Sequence, residues 1–341
     1  MPISNIAPHL PLIDLHRHLD GSVRLQTIFD LATQHNLPLP AADLEGLRPH
    51  VQVTEPVPGL LAFLQKFDWM TRILVDYAAC RRIAYENVQD AHAEGLDYIE
   101  LRFSPWFMAE RYGLNPHGVI EAVIDGVQAG SRDTGLPVGL IGILSRTYGA
   151  QIAHKELRAL LTYREHFVGL DLAGDEGNYP GEWFVEHFKQ AHAAGWHVTI
   201  HAGEARGPES VRQAIEQLGA QRIGHAVHAA RDPQLLETIA ARGIGLELNL
   251  TSNLQTSTIS GYAQHPARQF LELGLCAGLN TDDPGISAID LAYEYNIAAP
   301  AAGLSREQIW QAQHNNLQMA FLSQAEKTQL IEQKKLIEQK N

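Results

Sequence analysis

The chain has 341 residues, 45% hydrophobic and 19% charged, with 39 acidic against 26 basic side chains and a formal net charge of −13. That length accommodates two small domains or one large barrel, and no uninterrupted apolar run approaches what a bilayer crossing needs. The negative field, with no basic stripe, argues against a nucleic-acid substrate and for a small neutral or cationic ligand. The opening residues Met1-Pro2-Ile3-Ser4-Asn5 carry neither the basic region nor the apolar core of a secretory signal. The two cysteines, Cys80 and Cys276, lack CxxC spacing and read as buried thiols of a reducing, cytoplasmic compartment.

The first apolar run, residues 11–16, leads into His16-Arg17-His18-Leu19-Asp20-Gly21. On an extended chain the two imidazoles leave the same side and form a chelate, although 17 histidines produce about one His-x-His pair by chance. A helical and loop region of about 80 residues follows, punctuated by Gly and Pro, before the next clear strand at 98–103. Strand-like runs then recur at 138–144, 168–172, 197–201, 222–224, 244–249 and 275–280. Helical patterns separate them at 118–132, 154–166, 181–194, 208–218, 233–242 and 265–273. Gly135, Gly195, Gly219, Gly243 and Gly274 stand where helix ends need a left-handed residue.

Eight strands alternating with helices predict a (β/α)8 barrel, with a helical insertion after strand one and helices from about 305 to the end. A doubly wound open sheet is the competitor, but no GxGxxG opens its first helix. We expect residues 1–341 to form a single barrel domain in which about 17–97 supplies a helical lid or insertion. Leu60, Leu61, Phe63, Leu64 and Trp69 are spaced like the apolar face of a lid helix. The repeat Leu330-Ile331-Glu332-Gln333-Lys334 and Leu336-Ile337-Glu338-Gln339-Lys340 reads as a solvated helix tail.

Barrel active sites form where strands end. Those ends carry His16 and His18, Ser145-Arg146-Thr147, Asp171 to Glu176, His201-Ala202-Gly203-Glu204, Gly224-His225, Asn249 to Asn253, and Thr281-Asp282-Asp283-Pro284-Gly285. His201 and an aspartate of strand eight can complete a three-imidazole, one-carboxylate site with room for water, a set that suits Zn2+ and that the sequence does not separate from Fe2+, Co2+ or Mn2+. Glu204 and His225, on neighbouring strands, are placed to move protons there. On a regular strand Asp282 and Asp283 point apart, with Pro284 holding Asp283 extended and Gly285 permitting a sharp turn.

The ordered set His16-x-His18-x-Asp20-Gly21, His201-Ala202-Gly203-Glu204, Gly224-His225 and Thr281-Asp282-Asp283-Pro284 resembles the adenosine deaminase family of the amidohydrolase superfamily, from residue 12 to about 325. The resemblance implies one Zn2+ per chain held by His16, His18, His201 and Asp282. It implies attack of a zinc-activated water on purine C6, converting adenosine and 2′-deoxyadenosine to inosine and 2′-deoxyinosine plus ammonia, in purine salvage. Glu204 then protonates purine N1, and His225 is base and electrostatic partner of the incoming oxygen. His18, Asp20, Gly174 and Asp283 bind substrate: Asp20 at the ribose, the Gly174 N–H at N3, and a protonated Asp283 at N7.

Adenine and aminofutalosine deaminases share the set but tend to carry Glu at the position of Asp20, and adenine deaminases Asp where this chain has Gly224. A binuclear amidohydrolase needs a lysine ending strand four, and residues 168–176 contain none. The family usually has Gly after the strand-six histidine, whereas this chain has Ala226, which opens the alternative of a nucleoside-binding sensor with weak turnover.

Overall fold

A computed structural model describes residues 4–53 and 55–338. Its strands are β1 (Ile13–His18), β2 (Tyr98–Phe103), β3 (Val138–Ser145), β4 (Gly169–Ala173), β5 (His197–Ala202), β6 (Arg222–His225), β7 (Gly245–Leu248) and β8 (Ala277–Leu279), all parallel and in sequence order. Beyond β8, the Asp282 N–H donates to His16 O at 2.7 Å and the His18 N–H to Asp282 O at 2.8 Å, bringing the last strand back to the first. The arrangement is the expected (β/α)8 barrel.

Helices form where the sequence supplies both apolar periodicity and end signals. Pro opens Pro116–Thr134, Pro208–Glu216 and Pro233–Arg242, where its missing N–H costs nothing. All five expected end glycines adopt φ between 61° and 81°. The apolar faces of these helices close on the outside of the strands in one continuous core that includes Ile99, Leu101, Leu144, Leu170, Val198, Ile223 and Leu246. Among the described residues no helix is long and apolar enough to cross a membrane.

Three expectations shift. β1 runs two residues later than its apolar run, because Arg17 and His18 pair with Leu101 and Arg102 of β2, so both histidines lie within the strand. The insertion is five helices between Leu25 and Ala93; Leu60–Leu64 and Phe67–Arg72 are separate short helices, and Leu61 is 56% exposed rather than part of a shared apolar face. The C-terminal helix Gln324–Glu338 is not merely solvated: Leu330 is 6% exposed and joins Ile13, Leu15 and Tyr98 at the floor of the barrel. The second copy of the repeat falls partly outside the described residues.

Candidate metal and purine site

The rim assembles from strand ends that leave regular β geometry. His225, Ala226 and Asp282 have φ of 67°, 55° and 67°, so the chain turns sharply as it presents these side chains. Asp282 is thus left-handed rather than the extended residue expected. Pro284 opens a short helix, Pro284–Ser287. Gly285 serves close approach rather than a turn, since a Cβ there would meet the carbonyls of Gly21 and Val23 at 2.9 Å.

His16, His18, His201 and Asp282 converge. The Nε2 atoms of His16 and His18 each lie 3.1 Å from His201 Nε2, and 3.2 and 3.3 Å from Asp282 Oδ1. Those edges fit donors that share one ion at about 2.0–2.2 Å. The groups behind the ligands support the same reading. His16 Nδ1 donates to Glu247 at 2.6 Å and His201 Nδ1 to Asp171 at 2.9 Å, which leaves both Nε2 lone pairs facing the cluster.

Glu247 and Asp171 belong to a charged layer across the barrel interior. Arg102 of β2 donates to Asp171 of β4 and to Glu247 of β7, both at 2.9 Å, and to Leu15 O at 2.6 Å. Thr199 of β5 donates to Glu247 at 2.8 Å. Burial alone would raise both carboxyls, but His201 and Arg102 hold Asp171 below the usual carboxylate range, and Arg102 and Arg222 hold Glu247 well below it. In the sequence these residues look like single polar interruptions of apolar strands, and only the closed barrel reveals them as partners.

Glu204 sits in a turn fixed by another carboxylate. Glu176 accepts the backbone N–H groups of Gly203, Glu204, Ala205 and Arg206 at 2.7, 3.2, 2.7 and 3.0 Å, while Gly203 takes φ 74°. Burial, reinforced by the charges of Asp282 and Glu176, pushes Glu204 up to about 8. His225 Nε2 lies 3.6 Å from Glu204 Oε2 and 3.8 Å from Asp282 Oδ2. Gly224 has no room for a side chain, because a Cβ would stand 2.7 Å from His16 Cε1.

The remaining expected residues line the same cleft. Asp20 Oδ1 and Asp283 Oδ1 are buried without a hydrogen-bond partner. Burial pushes Asp20 up to about 7; burial and the charges of Asp282, Asp20 and Glu204 raise Asp283 well above the carboxylate range. Gly21 is where it is because a Cβ would collide with the Asp283 carboxyl, and Gly174 has φ 103° with Thr147 Oγ1 2.5 Å from any Cβ. Leu60, Phe63, Leu64 and Phe67 wall the cleft opposite Gly174 and the metal-ligand cluster.

Comparison with known proteins gives the family and the fold. The family model described as adenosine deaminase covers residues 11–336. An adenosine deaminase of Edwardsiella ictaluri is 58% identical over 331 residues, 97% of this chain and 99% of the relative, and one of Klebsiella pneumoniae is 58% identical over 95% and 97%. Among solved structures, an adenine deaminase of Arthrobacter aurescens superposes with a TM-score of 0.89 at 23% identity, covering 97% of this chain and 99% of the other, a likeness of fold. The chain belongs to the adenosine deaminase family.

Proposed function

We infer that this chain hydrolyses adenosine, and with it 2′-deoxyadenosine, to the inosine nucleoside and ammonia. The observation that carries this reading is geometric: the buried Glu204 carboxyl, 3.6 Å from His225 Nε2, stands on the same rim as a three-histidine, one-aspartate cluster. The near-full-length identity to proteins named adenosine deaminase supports the same substrate.

His16, His18, His201 and Asp282 hold the metal, which we take to be one Zn2+ because nitrogen-rich ligation with one carboxylate suits it. When bound, it supplies Lewis-acid activation of water at neutral pH. Glu204 gives its proton to purine N1, drawing electrons from C6 so that water adds there; the Glu204 carboxylate then takes back one proton from the added oxygen, and the other leaves with the amino group as ammonia. Asp283, protonated by its surroundings, donates to N7, and the Gly174 N–H meets N3. Asp20 accepts from a ribose hydroxyl, a contact that separates nucleoside from free base, and Leu60, Phe63, Leu64 and Phe67 exclude water above the purine. His18 stands where it both ligates and borders the substrate. His225 aims Nε2 toward the incoming oxygen. We further read residues 1–341 as one catalytic barrel domain with 17–97 as its lid, working in purine salvage in the cytoplasm, where the free thiols Cys80 and Cys276 persist.

Elemental analysis combined with the ultraviolet change from adenosine to inosine tests the reading. About one zinc per chain with turnover supports it. A loaded protein that binds nucleoside without turnover makes it a sensor, and turnover of adenine but not adenosine moves it to the free-base branch.

A further inference from the structure

We propose that Asn253 and His265 lock the tautomer of His225, so that His225 meets the reacting oxygen with an Nε2–H donor and not with a bare base nitrogen. The proposal rests on the reading above only in taking Nε2 as the atom that faces the chemistry.

The argument starts from a group whose role has no ambiguity. A backbone N–H can only donate, and the N–H of Ala267 lies 3.0 Å from His265 Nδ1, which must therefore be bare. His265 is 4% exposed, and burial pushes its imidazole down to about 3, so the ring is neutral with its one hydrogen on Nε2. That Nε2 stands 3.2 Å from the Asn253 side chain, which must present its oxygen to accept. The amide orientation of Asn253 is thereby dictated by its partner rather than chosen.

The Asn253 NH2 then faces His225 Nδ1 at 2.9 Å, and an amide nitrogen can only donate. A second amide, Asn249 Nδ2 from the loop after β7, approaches the same atom at 3.4 Å. With Nδ1 bare, neutral His225 carries its hydrogen on Nε2. The far side of the ring agrees, because Nε2 looks onto two oxygens, Glu204 Oε2 and Asp282 Oδ2.

This changes what His225 can do. Neutral in this tautomer, it has no lone pair at Nε2 with which to take a proton from water, and its Nδ1 lone pair is engaged by Asn253. What remains is donation from Nε2 to an oxygen that gains negative charge as it adds to C6. Asn253 and His265 are then positioning residues: His265 acts on the His225 ring through Asn253, and the Asn253 NH2 also reaches Glu204 Oε1 at 3.5 Å.

Nitrogen NMR of the histidine-labelled, metal-loaded protein tests this, because a bare ring nitrogen and one bearing hydrogen have well-separated shifts. The His225 signals are assigned by their loss in His225→Gln. A hydrogen on Nε2 and a bare Nδ1 are expected; hydrogen on Nδ1 alone, or on both nitrogens, overturns the proposal. Asn253→Asp places an acceptor against Nδ1 and is expected to move the hydrogen there and lower kcat by about 100-fold with KM little changed. Should that buried charge prevent folding, His265→Phe leaves the Asn253 amide free to rotate, with an expected mixed tautomer and a smaller loss of kcat. His265→Gln keeps a donor toward Asn253 and is expected to recover most of that loss. An unchanged tautomer and unchanged kcat in His265→Phe overturns the relay. The NMR result stands whether or not adenosine is the substrate, so a wild-type protein inert toward adenosine would refute the proposed function while leaving the tautomer decided.

Discussion

Glu247 accepts the Nδ1 hydrogen of His16 at 2.6 Å and at the same time receives Arg102 at 2.9 Å, so one buried carboxylate both aims an imidazole of the three-histidine, one-aspartate cluster and balances a buried cation. Glu247→Gln keeps the shape and removes the charge. Loss of the carboxylate is expected to weaken metal binding about 10- to 100-fold, measured by competition with a chelator. It also strips Arg102 and Arg222 of a counterion, and a loss of about 3–5 kcal/mol in unfolding free energy is expected even with excess zinc.

Burial pushes the Glu204 carboxyl up to about 8. If the protonated form donates to N1, turnover is flat through neutrality and falls as pH rises through about 8. Glu204→Gln is expected to lower kcat by about 10²- to 10⁴-fold and to abolish that alkaline limb in a pH–rate profile.

Glu294 offers a stability counterpart away from the metal ligands. It is buried, accepts the N–H groups of Leu250 and Thr251 at 3.2 and 3.0 Å, and burial pushes its carboxyl up from 4.5 to about 8. The folded state therefore holds this proton more tightly than the unfolded chain, so its contribution is complete below about pH 4.5 and is lost as pH rises through about 8. Glu294→Gln cannot ionise and is expected to melt progressively higher than wild type as pH is raised from about 6 to about 9.

Two left-handed residues at the rim are expected to respond oppositely. Gly174→Ala forces a side chain into φ 103° and onto Thr147 Oγ1, which also accepts the Asp175 N–H at 3.0 Å. A loss of about 1–3 kcal/mol and a raised KM for adenosine should follow. Ala226→Gly relieves φ 55° at a residue that already tolerates it. Relief of about 1 kcal/mol is offset by a similar loss of chain entropy, so thermal melts and kcat are both expected to stay near wild type.

Asp20 tests the nucleoside assignment. Its Oδ1 is buried and unpartnered beside His18, whose Nδ1 is 3.9 Å away. Asp20→Asn is expected to lower kcat/KM for adenosine by about 10-fold or more, the worth of one charge-assisted hydrogen bond, while adenine, which has no ribose, is unaffected. Parallel steady-state assays on the two substrates measure the difference.

The barrel and the cluster of His16, His18, His201 and Asp282 were legible because their signals are local. Strand period two puts His16 and His18 on one side, end glycines mark the helices, and polar residues gather where apolar runs stop. The supporting groups were not, for a physical reason. Glu247, Arg102 and Asp171 sit on three different strands and find one another only across the closed interior. Asn253 sits in the short helix Leu250–Gln255 after β7 and His265 in the loop beyond it, and their meeting with His225 depends on how that segment folds back over the rim. Asp282 was placed correctly while its backbone was not, since a left-handed residue at a strand end has no signature beyond the Pro284 and Gly285 that follow.

The helix Gln324–Glu338, which seats Leu330 against Ile13, Leu15 and Tyr98, follows every strand in the chain. During synthesis the first and second strands therefore leave the ribosome long before the residue that covers their lower ends. The nascent barrel must carry that apolar floor open to solvent until this helix emerges, although His16, His18, His201 and Asp282 are all synthesised before it.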